Sequence, residues 1–460
     1  MRQLYTVSFI LLLFNSTLGA QNWDYYPPSA VPDRIMLNLT AKPASQMAIT
    51  WRTAPFIKKG YVQYTVVDAS PDILKNAKVQ EAVLEPYLSD HNGANYFSTV
   101  LDSLLSDTQY AYRTGDSTHW SEWAHFETAS SENDSFSFIY FGDAQNDIKS
   151  MWSRTIRSAF QQMPKADFLL HAGDLINKRD RDHEWGEWYY AGGWIYRMIP
   201  SIATPGNHEY GNNEEGIYVL SKHWKPTFNL PENGPADLEE TAYHIDYQNT
   251  RIISIDAPAF YRSKADSAKQ VVWVDSLLRN NPQKWTIVTM HYPIYSTIGV
   301  RDNVELRHAF QPLFEKYKVD LVLQGHDHAY GRGTNLPFGS QKEATMDGPI
   351  YVVSVSGPKM YPVGLDKWMQ KGASNTQLYQ LLHVEGDTLK FEAFAVDGQL
   401  YDAFELRKKK GRKTTFVDLA PSGDMERLEL PQRFKNSFSE EEILKYQNKI
   451  KEYKKRNKRE

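Results

Sequence analysis

The sequence predicts an all-β sandwich followed by an α/β domain of mixed β-sheets flanked by helices. Three observations carry this. Between about Pro32 and Thr128, apolar and polar residues alternate with a period of two, broken by turn residues. SSENDS, residues 130–135, is a polar linker. Beyond it, apolar runs alternate with segments of helical period.

In the first part, IMLNLTA, QMAITWRT, GYVQYTVV, YFSTVLDSL and QYAYRTG read as strands. LSDTQYAYR sets a leucine and a turn before Tyr-x-Tyr. That pattern resembles the tyrosine corner of fibronectin type III and related sandwiches, and WSEWAHFETA extends the likeness. In the second part FSFIYFGD is a strand. A helix over Ser150 to Met163 carries Trp152, Ile156 and Phe160 at i, i+4 and i+8, and Pro164 lies just past its end. DFLLHAGD is a strand, HEWGEWYYAGGWIYR a helix, SIATPGNHE a strand running into a loop, and AYHIDYQNTRIISIDA a hairpin. Helix KADSAKQVVWVDSLL and strand KWTIVTMHYP come next. A further helix opens at Asp302, where Asp302 and Glu305 have capping-box spacing. VDLVLQGHDH and PIYVVSVSG are strands, and LLHVEGDTLKFEAFAVDGQLYDAFEL is a closing meander. The expected division is a sandwich over 21–131, an α/β domain over 135–406 and a charged tail over 407–460. The tail reads as a solvated helix or a disordered segment.

A length of 460 residues suits two or three domains. The chain opens MRQLYTVSFILLLFNSTLGAQ, with Arg2, an apolar core from Leu4 to Phe14, and the small residues Gly19 and Ala20. This is a secretory signal over 1–20, and no later stretch is long and apolar enough to span a bilayer, so an exported chain is expected. The sequence has no cysteine. An exported chain without disulfides suits a bacterial periplasm, cell surface or medium better than an animal secretion. The net charge of -4 gives no general attraction to nucleic acid.

Polar residues stand at five strand ends: Asp143, Asp174, Asn207 with His208, His291, and His326 with His328. In open α/β sheets, ligands gather outside the carboxyl ends of the strands. Each residue alone is an ordinary turn, cap or surface group. Together they form a set of nitrogen and oxygen donors suited to Mn, Fe, Zn or Mg. Gly142, Gly173, Gly206 and Gly325 each precede a member of the set, where a tight turn calls for a permissive backbone.

The blocks GDAQ, GDLIN, GNHE, MH and GHDH resemble the five blocks of the metallophosphoesterase (calcineurin-like) family, in its purple acid phosphatase branch. HEWGEWY before PGNHE, MHYPIYS and EAFAVDGQLYDAFEL add to the similarity, as does the leading sandwich. The resemblance implies two metal ions, of Fe, Mn or Zn. Asp143, Asp174 and His328 would hold one, Asp174, Asn207, His291 and His326 the other, with Asp174 bridging. His-x-His in an extended chain would turn both rings to one face, one for each ion. His208 would support the phosphoryl oxygens or the leaving group. Arg332 resembles a structural arginine of the family, with phosphate contact as its second reading.

Two positions depart from the family pattern. Asn177 stands where the branch has a tyrosine that gives its iron form colour. Gln145 stands where the wider family often has a histidine ligand. The first ion would then take Gln145 or water, and Asn177 would orient His208. His171 is expected in the core, His183 on a pocket wall, and His244 in a structural role. The implied function is an exported phosphatase that hydrolyses small phosphomonoesters by a metal-activated hydroxide. A phosphodiesterase on the same site and a surface binding protein with a degenerate catalytic domain stay open. Residues 211–240, in the loops that would select substrate, do not separate them.

Overall fold

The computed structural model describes residues 26–132, 134–334, 343–346, 348–409, 413–421 and 426–457. The secretory signal over 1–20 lies outside the described residues. In the N-terminal domain, Leu105 N donates to Tyr110 Oη at 2.8 Å, which closes the tyrosine corner. Asp33–Asn38, Met47–Thr53, Gly93–Leu101 and Val83–Leu88 lie in one sheet. Lys78–Glu81, Tyr61–Val66, Gln109–Gly115 and Ala124–Glu127 form the other. Trp51 stacks on Phe97 at 5.5 Å in the core between them. Lys78–Glu81 and Val83–Leu88 escape the sequence pattern because both are mostly exposed edge strands. Pro86 sits on such an edge, where no ladder donor is missed.

The sandwich is fused to the α/β domain. Asn38 pairs in parallel with Ser201, and its Nδ2 donates to Ser201 O at 3.1 Å. The buried Arg34 guanidinium meets Asp182 at 2.6 Å, which pins the segment that leads away from Asp174.

The α/β domain packs two mixed sheets face to face. Phe136–Phe141, Phe168–His171 and Ser201–Ala203 run parallel in the first. The meander Leu378–Glu385, Thr388–Ala395 and Leu400–Arg407 continues it antiparallel. In the second, Thr250–Ile255, Trp285–Met290, Leu321–Gln324 and Ile350–Val353 are parallel. Alternate residues face opposite sides. Ile252, Ile287 and Leu323 meet Phe138, Phe168 and Leu382 between the sheets. Ile253, Val288 and Val322 instead bury Val274, Leu278, Phe310 and Phe314 of helices Lys264–Arg279 and Val304–Lys316. With both faces covered, these strands read as unbroken apolar runs.

Several boundaries differ from expectation. The first helix is Ser153–Gln162, preceded by one wide turn over Ile148–Trp152. HEWGEWYYAGGWIYR breaks at Gly193, φ +51, into an α-helix Asp182–Gly192 and a tighter turn Gly193–Arg197. The helix expected at Asp302 starts at Val304, and the side chain of its N-cap residue Asn303 makes no capping bond; Asp302 pairs instead with Arg307 at 2.5 Å. The tail is more than a solvated segment. Thr415–Asp418 joins the meander as another strand, and Glu440–Arg456 is a helix with a Ser439/Glu442 capping box. Its Tyr446 and Tyr453, seven residues apart, are buried, and Gly372 N donates to Tyr453 Oη at 3.0 Å.

Candidate metal centre

The parallel strands of both sheets end at one rim, where Asp143 bridges to Val355 across the two sheets. Asp174, His291 and His326 form one trio there, and Asp143, Asp174 and His328 another. Within each trio the ligand atoms all lie within 4.8 Å of one another, and Asp174 belongs to both. Three of these residues are held in the left-handed region: Asp174 at φ +53, His326 at +76 and His328 at +51. Such backbones cost on the order of 1–3 kcal/mol each and collect at ligand clamps. His-x-His is therefore not an extended stretch with both rings on one face, as alternation suggested; two left-handed residues aim the rings instead. Of the four glycines, only Gly173 has positive φ. Gly206 and Gly325 serve close approach: a Cβ would stand 2.2 Å from Asp174 Oδ1 at the former and 2.4 Å from Asp143 Oδ1 at the latter.

In the trio of Asp174, His291 and His326 the hydrogens are placed by the neighbours of His291. His291 Nδ1 lies 2.8 Å from Ala172 O, so Nδ1 donates there and Nε2 turns its other valence to the rim. Nε2 faces Asp174 Oδ1, Asn207 Oδ1 and His326 Nδ1, each at 3.2 Å. Metal–ligand bonds of about 2.1 Å set neighbouring ligand atoms about 3.0–3.4 Å apart, which matches these separations. A proton is the competing occupant. Burial lowers the His291 pKa, but Asp174 and Asp143 outweigh it and raise it to about 9. One proton on Nε2 satisfies one of the three contacts, whereas one cation satisfies all of them. His326 is pushed well below the usual histidine value, by burial first and then by His291, which keeps its ring neutral and able to ligate.

The other trio also fits a cation. Among the described residues Asp143 Oδ2 is buried without a hydrogen-bond partner, 3.5 Å from His328 Nε2. Burial raises the Asp143 pKa to about 7, Asp174 adds to the rise, and His291 opposes it. A carboxyl whose pKa burial has raised is one that a bound cation would stabilise in its charged form. Gln145 is fully buried beside it; Nε2 donates to Asp174 Oδ2 at 2.8 Å and lies 3.2 Å from His328 Nε2. Reversing the amide would present Oε1 to the same atoms as a neutral oxygen donor.

Other groups position this set. Glu209, fully buried, accepts from Asp174 N at 2.8 Å, Leu175 N at 2.7 Å and Gly206 N at 2.7 Å, so one carboxylate fixes two of the turns. Sequence reasoning missed Glu209, the last residue of GNHE; the signal was an acid directly after two functional residues. Glu209→Ala is expected to cost about 1–3 kcal/mol for each N–H left without an acceptor. Denaturant unfolding should show a lowered midpoint, and the variant should retain metal less well; an unchanged midpoint would contradict this role.

His208 Nδ1 lies 2.6 Å from Asn177 O, and His208 N donates to Asp174 Oδ1 at 2.9 Å. Asn177 thus meets His208 through its main chain, not its amide. Asn177 N and Lys178 N both donate to Glu184, at 2.6 and 2.8 Å, which holds that carbonyl in place. Arg332 is fully buried and tied to Asp402 at 2.7 and 2.9 Å and to Gln370 at 3.0 Å. These bonds fit its structural reading, and a fully buried side chain leaves nothing for the phosphate contact. His171 is buried against Phe141 and Trp188, and burial lowers its pKa to about 3. His183 lines a neighbouring cleft, 3.3 Å from Glu187. His244 lies in the strand Tyr243–Tyr247, where its main-chain N donates to Asn233 Oδ1 at 3.0 Å.

Comparison with known proteins bears on the same residues. Residues 136–330 match the calcineurin-like phosphoesterase family model, and residues 32–128 match that of the purple acid phosphatase N-terminal domain. Acid phosphatase type 7 of Homo sapiens is 28% identical over 357 residues, 70% of this chain and 75% of that protein. Fe(3+)-Zn(2+) purple acid phosphatase 12 of Arabidopsis thaliana is 28% identical over 56% of each chain. The solved structure of purple acid phosphatase PPD1 from yellow lupin (Lupinus luteus) seeds superposes with a TM-score of 0.68 at 20% identity. The match covers 82% of this chain and 74% of that one, and it shows the shared two-part fold.

Proposed function

This chain belongs to the calcineurin-like phosphoesterases and carries the N-terminal domain of purple acid phosphatases, and on that premise we propose that it hydrolyses small phosphomonoesters. The observation that carries the reading is the pair of ligand trios sharing Asp174. Two ions so held, when bound, polarise a phosphoryl group and acidify water. The chain's own residues do the rest. Asp174 takes a place in both ligand sets while its Oδ1 also anchors His208 N. With Nδ1 engaged by Asn177 O, His208 turns Nε2 toward the rim, 3.9 Å from Asp174 Oδ2. There, when it carries a proton, Nε2 donates to a phosphoryl oxygen or gives that proton to the leaving oxygen.

The Arabidopsis relative is named for Fe(3+) and Zn(2+). Here iron, manganese and zinc all suit the nitrogen and oxygen donors. Because Asn177 brings no phenolate, the iron-loaded protein is expected to lack an intense visible charge-transfer band. Absorption spectra before and after Asn177→Tyr check this; a strong band in the unmodified chain would contradict it. Export rests on the signal pattern of residues 1–20. Among the described residues no helix is long and apolar enough to cross a membrane.

Turnover of 4-nitrophenyl phosphate and of bis(4-nitrophenyl) phosphate by the metal-loaded chain tests the reading. The monoester is expected to react faster. A faster diester would assign the site to phosphodiesters, and bound metal without turnover of either would favour a binding protein.

A further inference from the structure

A cleft of about 490 Å³ opens beside the trio of Asp143, Asp174 and His328, and its walls come from distant parts of the chain. Asn146 and Asn177 come just after the first two strand ends, Lys359 after the last parallel strand, and Gln432 and Arg433 from the tail. The tail reaches this place through the short helix Gln432–Lys435. Tyr361 ties the wall to the site. Its ring meets the His328 ring edge-on at 5.0 Å, and on it lie Arg433 at 5.0 Å and Lys359 Nζ at 5.9 Å from the centroid. Lys359 Nζ is also 3.5 Å from Gln145 Oε1, so it stands between the cleft and the candidate centre.

The cations of this wall have no carboxylate in direct contact: among the described residues neither Lys359 nor Arg433 forms an ion pair. Their contacts are the Tyr361 and Phe434 rings and the Gln145 amide. One carboxylate, Asp147, lines the same cleft against these two cations. Amides of Asn146, Asn177 and Gln432 add donors. A guanidinium whose contacts are aromatic rings keeps N–H groups available for a tetrahedral oxyanion, and a lysine adds a point charge.

We propose that this cleft is a second-phosphate subsite, and that Arg433 and Lys359 select phosphate esters bearing a second phosphate beyond the scissile one. The inference rests on the phosphatase reading and names the substrate class for the same site. It gives the tail a function, since residues 431–433 complete the wall.

The test compares kcat/KM for fructose 1,6-bisphosphate with that for 4-nitrophenyl phosphate in the metal-loaded full chain. Arg433→Ala and Lys359→Ala are each expected to lower the ratio of the two by about tenfold or more, with Arg433→Lys restoring part of it. Arg433 is exposed, and an unchanged unfolding midpoint in Arg433→Ala shows that the fold is retained. A ratio within twofold of the unmodified chain in both alanine variants overturns the subsite. Failure of the unmodified chain on both substrates overturns the phosphatase reading instead. Calorimetric binding of inorganic pyrophosphate then decides the subsite by itself: at least tenfold weaker binding to Arg433→Ala supports it, and equal binding overturns it.

Discussion

Asp174→Asn is expected to lose both ions and to lower turnover by at least about 10³-fold, more than removal of a single stabilising donor from an active site. Asp174 is the one carboxylate common to the two trios. Burial would raise its pKa, but His291 and its neighbours hold it well below the carboxylate range, so it stands as an anion. An amide removes that charge and turns an NH2 group toward either the His291 or the Gln145 side. It also weakens the acceptor of His208 N. Metal analysis by mass spectrometry and turnover of 4-nitrophenyl phosphate check the variant together. Two ions per chain with near-normal turnover would remove Asp174 from the bridging role.

His208→Ala should behave differently, and the contrast is informative. The ring is partly exposed, and its Nε2 stands farther from Asp174 than the His291 Nε2 does, 3.9 Å against 3.2 Å. It belongs to neither trio. Its loss is expected to lower kcat by about 10²–10⁴-fold, the usual range for a positioned acid or base, while metal content stays at the unmodified level. Loss of an ion along with activity would make His208 a ligand.

The sequence made the rim legible because parallel strands buried on both faces leave unmistakable runs. FSFIYFGD, DFLLHAGD and KWTIVTMH each end on a candidate ligand, and the structure gathers those ends. The edge strands Lys78–Glu81 and Val83–Leu88 left no such trace, since an exposed edge imposes no apolar alternation. Composition also hid the tail. Its lysines and glutamates face solvent, and the packing depends on Tyr446 and Tyr453, two residues in a charged run. At the site itself, residue types were readable and backbone was not. The left-handed turns at His326 and His328 come from tertiary contacts such as His326 N donating to Asp143 Oδ1 at 2.6 Å. The main-chain route from Asn177 to His208 was invisible for the same reason, because any side chain carries a carbonyl behind it.

The central claim is that two ions joined by Asp174 make this chain a phosphatase. Stripping the protein with a chelator, then adding back metal in steps while measuring both bound ions and 4-nitrophenyl phosphate turnover, tests it most directly. The account predicts an inactive stripped chain, saturation at two ions per chain, and activity that appears mainly with the second equivalent. Full turnover by the stripped chain, or two bound ions without turnover, would contradict it.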